Sequence, residues 1–268
     1  MARLTAAERE TLAFLRRAAA RPQTGGRATV VETHFAWVFV GPRRVRKLRK
    51  PMRTAHFDLT TVDRRAAAVR AEVRLNRPFA PDVYEGVERL TREADGTLAL
   101  DGAGEVVDWL VVMRRLPAAR ALDRTTPADA RALGPLADLL ADYYRDAPRV
   151  ADDAAAWAER VAATMAELEA RAARNGGHGA FTAARLRAWA AREATLLAER
   201  AAAGWIVDGH GDLRPEHVYL TTPPRVLDRL DFDAELRRVD WVEDLALLAV
   251  DHERLRRPWI AEIGRAHV

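Results

Sequence analysis

The chain contains no cysteine, only two lysines and no long apolar segment. Without cysteine it has no disulfide, no thiol nucleophile and no thiolate metal site. No apolar run approaches the roughly 18 residues that a membrane-spanning helix needs, and the N-terminus lacks the apolar segment of a signal peptide. These absences predict a soluble, cytoplasmic protein with no membrane partner.

The residues that are present suit a folded protein. The 268 residues are 49% hydrophobic and 31% charged, which predicts a buried core in one large domain or two small ones. The pI near 9.9 reflects arginine, which does not titrate below about pH 12. Because the net charge is only +4, we expect no nucleic-acid partner.

Charge and composition divide the chain near Pro117. The first 117 residues are net positive and the remainder net negative, which is ordinary surface variation or fits a site with polyphosphate facing metal-binding carboxylates. Helical patterns cover 5–20 and 60–76, and strand patterns cover 29–40, 45–50, 84–90, 98–100 and 105–113. After Pro117, alanine-rich helical patterns cover 127–145, 152–174 and 182–203, a final helical pattern covers 241–255, and short strand patterns lie at 205–210 and 226–232. This predicts an α+β fold with a β-rich part, 1–117, and a mainly helical part, 118–268.

Two acidic residues stand out, Asp212 and Asp231, nineteen positions apart on two predicted loops. Such a pair suits metal-assisted phosphoryl transfer, in which one carboxylate accepts the proton of an attacking hydroxyl and the other holds the metal. A glycosidase also uses two carboxylates, and acids of this kind also cap turns or pair with arginines. The spacing alone leaves these alternatives open.

The residues around Asp212 read HGDLRPEHV, from His210 to Val218. This segment resembles the catalytic loop of the protein-kinase-like superfamily, which reads HRDLKPEN in protein kinases, and Asp231-Phe232-Asp233 resembles the DFG segment. The glycine after His210 and the later Asp240 and Asp244 are more similar to aminoglycoside and choline phosphotransferases. Over about residues 28–252 the chain resembles an uncharacterised bacterial branch of aminoglycoside-phosphotransferase-like proteins, some of which carry an additional P-loop ATPase domain.

The resemblance implies a two-lobed protein-kinase-like fold and a specific reaction. The γ-phosphoryl group of ATP, or of GTP, would pass to a hydroxyl of a small molecule such as a sugar, an amino sugar or an aminoglycoside, with Mg²⁺ or Mn²⁺ as the metal. It implies Asp212 as the base, Asp231 as the main metal ligand and Arg214 as a contact to the transferred phosphate. Asp240 and Asp244 would brace the loop or exclude solvent rather than bind metal.

The resemblance also assigns nucleotide-binding residues to the first part of the chain. A lysine in Val45 to Lys50 would reach the phosphates; we favour Lys47 over Lys50, and strand alternation puts the two on opposite faces. Glu72 would pair with that lysine, or is a solvated helix residue. Met113 and Leu116 would wall the adenine, or belong to the core.

The sequence departs from the family pattern in three places. It lacks a glycine-rich loop; Thr33 and His34 stand there, as phosphate donors or as simple turn residues. His217 replaces a metal-binding asparagine, and imidazole is a poor Mg²⁺ ligand. It would bind a softer ion such as Mn²⁺, contact phosphate as a cation, or leave the metal to Asp231 alone.

The third departure is the short C-terminal part, since only 24 residues follow Asp244. The substrate-side helices of the family are usually more extensive, so we expect a short or a truncated version of the family fold. These departures keep a second function open, a nucleotide-binding pseudokinase that acts as a regulatory module. The sequence predicts neither the acceptor nor the oligomeric state.

Overall fold

The computed structural model describes residues 4–20, 28–125, 130–150, 154–174, 176 and 180–254. Its first part is built on a six-stranded antiparallel sheet with the strand order β1-β2-β3-β6-β4-β5. The strands are β1 (Thr29–Glu32), β2 (Ala36–Val40), β3 (Arg44–Arg49), β4 (Tyr84–Arg92), β5 (Leu98–Leu100) and β6 (Glu105–Arg114). β3 therefore lies in the middle of the sheet, hydrogen-bonded to β2 and β6.

Two helices cover the two faces of this sheet. Helix α1 (Ala6–Ala20) begins with the capping box predicted by the sequence, because Thr5 Oγ1 accepts the Glu8 N–H at 3.2 Å and the Glu8 carboxylate accepts the Thr5 N–H at 2.7 Å. Its Leu15 packs with buried residues of one sheet face. Helix α2 (Val62–Asn76), capped by Thr61, packs on the opposite face. We call the sheet and these helices the N-lobe.

The second part of the chain, the C-lobe, is mainly helical. Its helices are α3 (Gly134–Asp146), α4 (Ala154–Arg174), α5 (Ala180–Arg192), α6 (Ala194–Ala202) and α7 (Trp241–Arg254). Two small antiparallel pairs accompany them: β7 (Ile206–Asp208) with β10 (Arg238–Asp240), and β8 (Val218–Tyr219) with β9 (Arg225–Val226). A core that includes Leu140, Leu213 and Leu248 joins these elements.

The predicted fold class is confirmed, with an antiparallel sheet in one lobe and helices in the other. The boundary at residue 117 stays a prediction. Among the described helices, none combines the length and the apolar character needed to cross a membrane.

Several predicted element boundaries are wrong. The predicted strand 29–40 is two strands, because Thr33 makes a turn in which its N–H donates to the Ala36 carbonyl oxygen at 2.8 Å. The predicted helix 182–203 divides at Glu193 into α5 and α6. The predicted strand 226–232 is regular only at its start, since Asp228 adopts a left-handed φ of 60°. The predicted helix stops at 22–26, 175 and 177 lie outside the described residues.

Candidate active site

A cleft of about 920 Å³ lies between the N-lobe sheet and the loops of the C-lobe. Every residue that the sequence assigned to the site lines this cleft, with the exception of Arg214. The lining residues from the N-lobe side are Thr33, His34, Lys47, Glu72, Met113 and Leu116, and those from the C-lobe loops are Asp212, His217 and Asp231. Segments separated by up to 198 positions thus converge on one cavity.

Lys47 lies on β3 in the wall of the cleft. Its Nζ atom is 2.9 Å from Glu72 Oε1 on α2 and 2.6 Å from Asp228 Oδ1 on the C-lobe. Burial lowers the pKa of Lys47, but the charges of Asp228 and Glu72 raise it more, so the net pKa lies above the ordinary value. Lys47 therefore remains an ammonium that spans both lobes.

The second lysine, Lys50, faces away from the cleft, as strand alternation predicts. Its Nζ atom donates to Glu32 Oε1 and to the Thr33 carbonyl oxygen, each at 2.7 Å. Of the two lysines, Lys47 is the one that lines the cavity.

Asp231 lies beside Arg49, a second cation on the cleft side of β3. The Arg49 guanidinium bridges the carboxylates of Glu72 and Asp231. The Asp231 side chain is only 5% exposed, and burial raises its pKa to about 6 although Arg49 opposes that effect. In this structure Asp231 is brought together with Arg49 and Glu72, and another carboxylate, Asp228, stands next to His217.

Three side chains meet at the C-lobe side of the cleft. His217 Nε2 lies 3.8 Å from Asp228 Oδ2, and His217 Nδ1 lies 3.8 Å from Asp212 Oδ2. His217 Nδ1 is 2.8 Å from the Asp212 carbonyl oxygen, which can only accept, so Nδ1 carries a proton. In the neutral ring, Nε2 then offers its lone pair on the side of Asp228.

The charges of the cleft act differently on the two aspartates. Burial in the cleft raises the pKa of Asp228, but the charges of Lys47 and His217 lower it more. The pKa of Asp228 therefore lies well below its usual range, and the side chain is ionised. Partial burial raises the pKa of Asp212 and outweighs the opposing effect of His217. Asp228 is thus a permanent anion, whereas Asp212 is the stronger base.

The loop that carries Asp212 is fixed by its neighbours. Gly211 has a φ of +81°, and a Cβ there would lie 3.1 Å from the Leu236 carbonyl oxygen, so the turn requires glycine. The backbone N–H groups of His210 and Gly211 donate to the two carboxylate oxygens of Asp244 at 2.6 and 2.9 Å. Asp244 braces the loop as the sequence predicted.

Asp240 contributes more distantly. Its carboxylate accepts hydrogen bonds from the Arg200 guanidinium. It also caps the first turn of α7 by accepting the Val242 N–H at 3.1 Å. This contact fixes the start of the helix that carries Asp244.

The side chain of His210 links this loop to the segment of Asp228. His210 Nε2 donates to the Leu227 carbonyl oxygen at 3.0 Å, and Nδ1 accepts the Asp212 N–H at 3.3 Å. Burial lowers the pKa of this fully buried imidazole to about 3. The folded protein therefore holds His210 neutral.

We expect this neutral histidine to make stability depend on pH. An imidazole titrates near pH 6.5 in the unfolded chain, so its contribution is complete above that pH and is lost as the pH falls toward 3. Between pH 7 and pH 5 the free energy of unfolding should fall by about 2 kcal/mol through this group. Urea denaturation of the wild type and His210→Gln at both pH values measures this, and an equal fall in both proteins would contradict it.

Arg229 and Asn76 connect α2 to the segment that leads into the loop of Asp212. The buried Arg229 guanidinium donates to the carbonyl oxygens of Asp208 and Gly209 at 2.7 and 2.8 Å. The Arg229 N–H donates to Asn76 Oδ1 at 2.8 Å, and Asn76 Nδ2 donates to the Glu72 carbonyl oxygen at 2.9 Å. The residue after Asp228 is thereby tied both to the helix of Glu72 and to the strand before His210.

Arg214 is the assigned residue that lies elsewhere. Its Nε donates to Asp251 Oδ2 on α7 at 2.8 Å, and its Nη2 lies 3.2 Å from Glu216 Oε1. In this conformation its charge is taken up by those two carboxylates. Contact with a transferred phosphate stays a prediction and would require it to leave Asp251.

The remaining assigned residues form apolar and turn-like walls. Met113 and Leu116 are 9% and 7% exposed and line the cleft at the end of β6 and just after it. The Thr33 hydroxyl lies 3.0 Å from both the N–H and the carbonyl oxygen of Ala36. It stabilises the turn, and His34 beside it faces the cleft.

Sequence reasoning did not single out Asp228, Arg49, Asn76 or Arg229. The signal for Asp228 was its place, because it is the first carboxylate after the apolar pair Val226-Leu227. The resemblance to DFG drew attention to Asp231-Phe232-Asp233 instead. Arg49 did not stand out in a chain rich in arginine. Asn76 and Arg229 contact each other although they are 153 positions apart in the sequence.

The site offers few ligands for a metal ion. Among the described residues, no three His, Cys, Asp or Glu side chains form a group that could hold a metal by themselves. Mg²⁺ is commonly bound by one or two carboxylates together with substrate phosphates and water. Asp228 and Asp212, as hard oxygen donors facing the cleft, fit that pattern, and His217 Nε2 would suit Mn²⁺ better than Mg²⁺.

Comparisons with known proteins return uncharacterised relatives. The chain is 31% identical over 239 residues to uncharacterized proteins of Mycobacterium bovis and of Mycobacterium tuberculosis. The matched region covers 85% of this chain and 46% of each relative, so the chain spans about half their length. No protein-family model matches the chain.

Among solved structures, the chain aligns with one described as the GDP and kanamycin complex of APH(2'')-IIia. The alignment covers 93% of this chain and 81% of that one, with 13% identity and a TM-score of 0.43.

Proposed function

We propose that the chain is a kinase-like phosphotransferase that moves the γ-phosphoryl group of ATP, or of GTP, to a hydroxyl of a small molecule. The observation that carries this proposal is the convergence of Lys47, Glu72, Asp228 and Asp212 on one cleft. A buried lysine held between two carboxylates fits a polyphosphate site, since its ammonium can exchange a carboxylate for phosphate oxygens. The large cavity leaves space for a nucleotide and an acceptor together.

In this proposal Asp212 is the general base. It accepts the proton of the acceptor hydroxyl as the acceptor oxygen bonds to the γ-phosphorus, and the bond from that phosphorus to the β–γ bridging oxygen breaks. The products are a phosphorylated acceptor and ADP, or GDP when the donor is GTP, with the proton left on Asp212. The raised pKa of Asp212 favours this role.

Lys47 supplies positive charge to the phosphates, and Glu72 holds its ammonium group in place. Asp228 would hold the divalent cation together with phosphate oxygens and water, and His217 lies beside it. A bound Mg²⁺ or Mn²⁺ would neutralise charge on the phosphate oxygens. Asp231 orients Arg49 and, through it, the second oxygen of Glu72.

The decisive experiment measures ATP and GTP binding by calorimetry with and without Mg²⁺, followed by nucleoside diphosphate release across a panel of hydroxylated metabolites. We expect binding that strengthens with Mg²⁺, and turnover that at least one acceptor stimulates. Failure to bind either nucleotide would overturn the proposal. Binding without turnover for any acceptor would instead identify a regulatory pseudokinase.

A further inference from the structure

Lys50 is one of only two lysines in the chain, yet the function proposed above does not use it. Its Nζ donates to the Glu32 carboxylate and the Thr33 carbonyl oxygen at 2.7 Å each, and lies 5.2 Å from the Trp37 ring centroid. Its backbone N–H donates to the Phe35 carbonyl oxygen at 2.9 Å. Lys50 thus holds both ends of residues 33–35, which we call the hairpin tip.

The hairpin tip forms part of the cleft wall. Thr33, His34 and Phe35 line the same cavity as Lys47 and Asp228. The contact between the Phe35 and Phe232 rings places the tip at the end of the cleft where Asp231 lies.

The tip is also attached on its other side by an aromatic cluster. The Phe35 ring lies 5.2 Å from Phe57 and 5.8 Å from Phe232, and the Phe57 and Phe232 rings are 5.1 Å apart. Such ring pairs add to the free energy of apolar burial. Phe57 comes from the segment after β3, and Phe232 follows Asp231, so the cluster fastens the tip to the C-lobe.

We propose that Lys50 and Phe57 are positioning residues that hold the hairpin tip as a fixed cover over the phosphate groups of a bound nucleotide. This inference rests on the proposed function. A cover that is already ordered lowers the entropic cost of closing over the ligand. Lysine suits the position because its compact ammonium can contact a carboxylate, a carbonyl oxygen and a ring face within a small space. The planar guanidinium of arginine is larger and matches this arrangement less well.

The test compares the affinities for ATP and adenosine, since adenosine lacks the groups under the cover. By calorimetry, Lys50→Met and Phe57→Ala should each weaken ATP binding by about tenfold and change adenosine binding by less than about twofold. Phe57→Leu, which keeps apolar bulk, should recover most of the ATP affinity. Retained adenosine binding also shows that each variant is folded.

Arg46→Met is the matched control. Arg46 lies on β3, the strand that Lys50 follows, and is outside the cleft lining. It is paired with Glu88 at 2.6 Å, with side-chain exposures of 13% and 17%. We expect its ratio of ATP to adenosine affinity to match the wild type. An unchanged ratio of ATP to adenosine affinity in Lys50→Met and Phe57→Ala would contradict the proposed cover. An equal change of that ratio in Arg46→Met would contradict it too, and neither result would contradict the proposed function. No ATP binding by the wild type would overturn the proposed function and the cover with it.

Discussion

Replacing Asp212 with asparagine should reduce acceptor-stimulated ATP turnover by about 10²- to 10⁴-fold, the usual contribution of a general base. Asparagine keeps the shape of the side chain but cannot accept the proton of the acceptor. The braced loop around it should remain in place, because Asp244 holds the backbone of His210 and Gly211. ATP binding measured by calorimetry should therefore persist while turnover is lost.

Asp142→Asn is a suitable control for this substitution. Asp142 is an exposed carboxylate of α3 that pairs with Arg145 on the same helix, so its loss should leave turnover unchanged. Normal turnover by Asp212→Asn would show that another group takes the proton, and the assignment of the base would be wrong.

The second large effect concerns the two carboxylates Asp228 and Asp231. We expect Asp228→Asn to reduce turnover by at least about 100-fold and to raise the Mg²⁺ concentration needed for half-maximal rate, because metal charge stabilisation is worth several kcal/mol. We expect Asp231→Asn to leave the Mg²⁺ requirement near that of the wild type. Its main effect should be a lower stability, since it deprives the buried Arg49 of one of two partners.

Titration of turnover with Mg²⁺ and urea denaturation of the same variants separate these outcomes. A strong shift in the Mg²⁺ requirement for Asp231→Asn, with little for Asp228→Asn, would return the metal to Asp231, as the sequence motif predicts. It would also mean that Arg49 releases Asp231 when nucleotide and metal bind.

The sequence predicted the fold class because strand and helix periodicities change together near Pro117, and because composition changes there too. It predicted less well where local geometry depends on single contacts. The turn at Thr33 and the left-handed residue Asp228 each interrupt a pattern that reads as a continuous strand. Such breaks depend on hydrogen bonds and loop paths that apolar spacing does not encode.

The site was predictable where a motif places residues on one rigid loop or strand, as with Asp212, His217 and Lys47. The contacts were not predictable where two similar side chains lie close together in the sequence and either could fill the same role. Asp228 and Asp231 are three positions apart, and only the path of the chain shows which one meets Lys47. Arg214 matched the motif by position, but its partner Asp251 comes from a helix 37 residues later.

The bonds around Asn76 and Arg229 bear on how the molecule folds and unfolds. Helix α2 packs on the sheet along one side, while its last turn is bonded to the C-lobe through these two buried side chains. Detaching either half would break these hydrogen bonds, each of which contributes about 0.5–1.5 kcal/mol net to stability. The sheet half and the helical half should consequently melt in one cooperative transition, without a stable half-folded species.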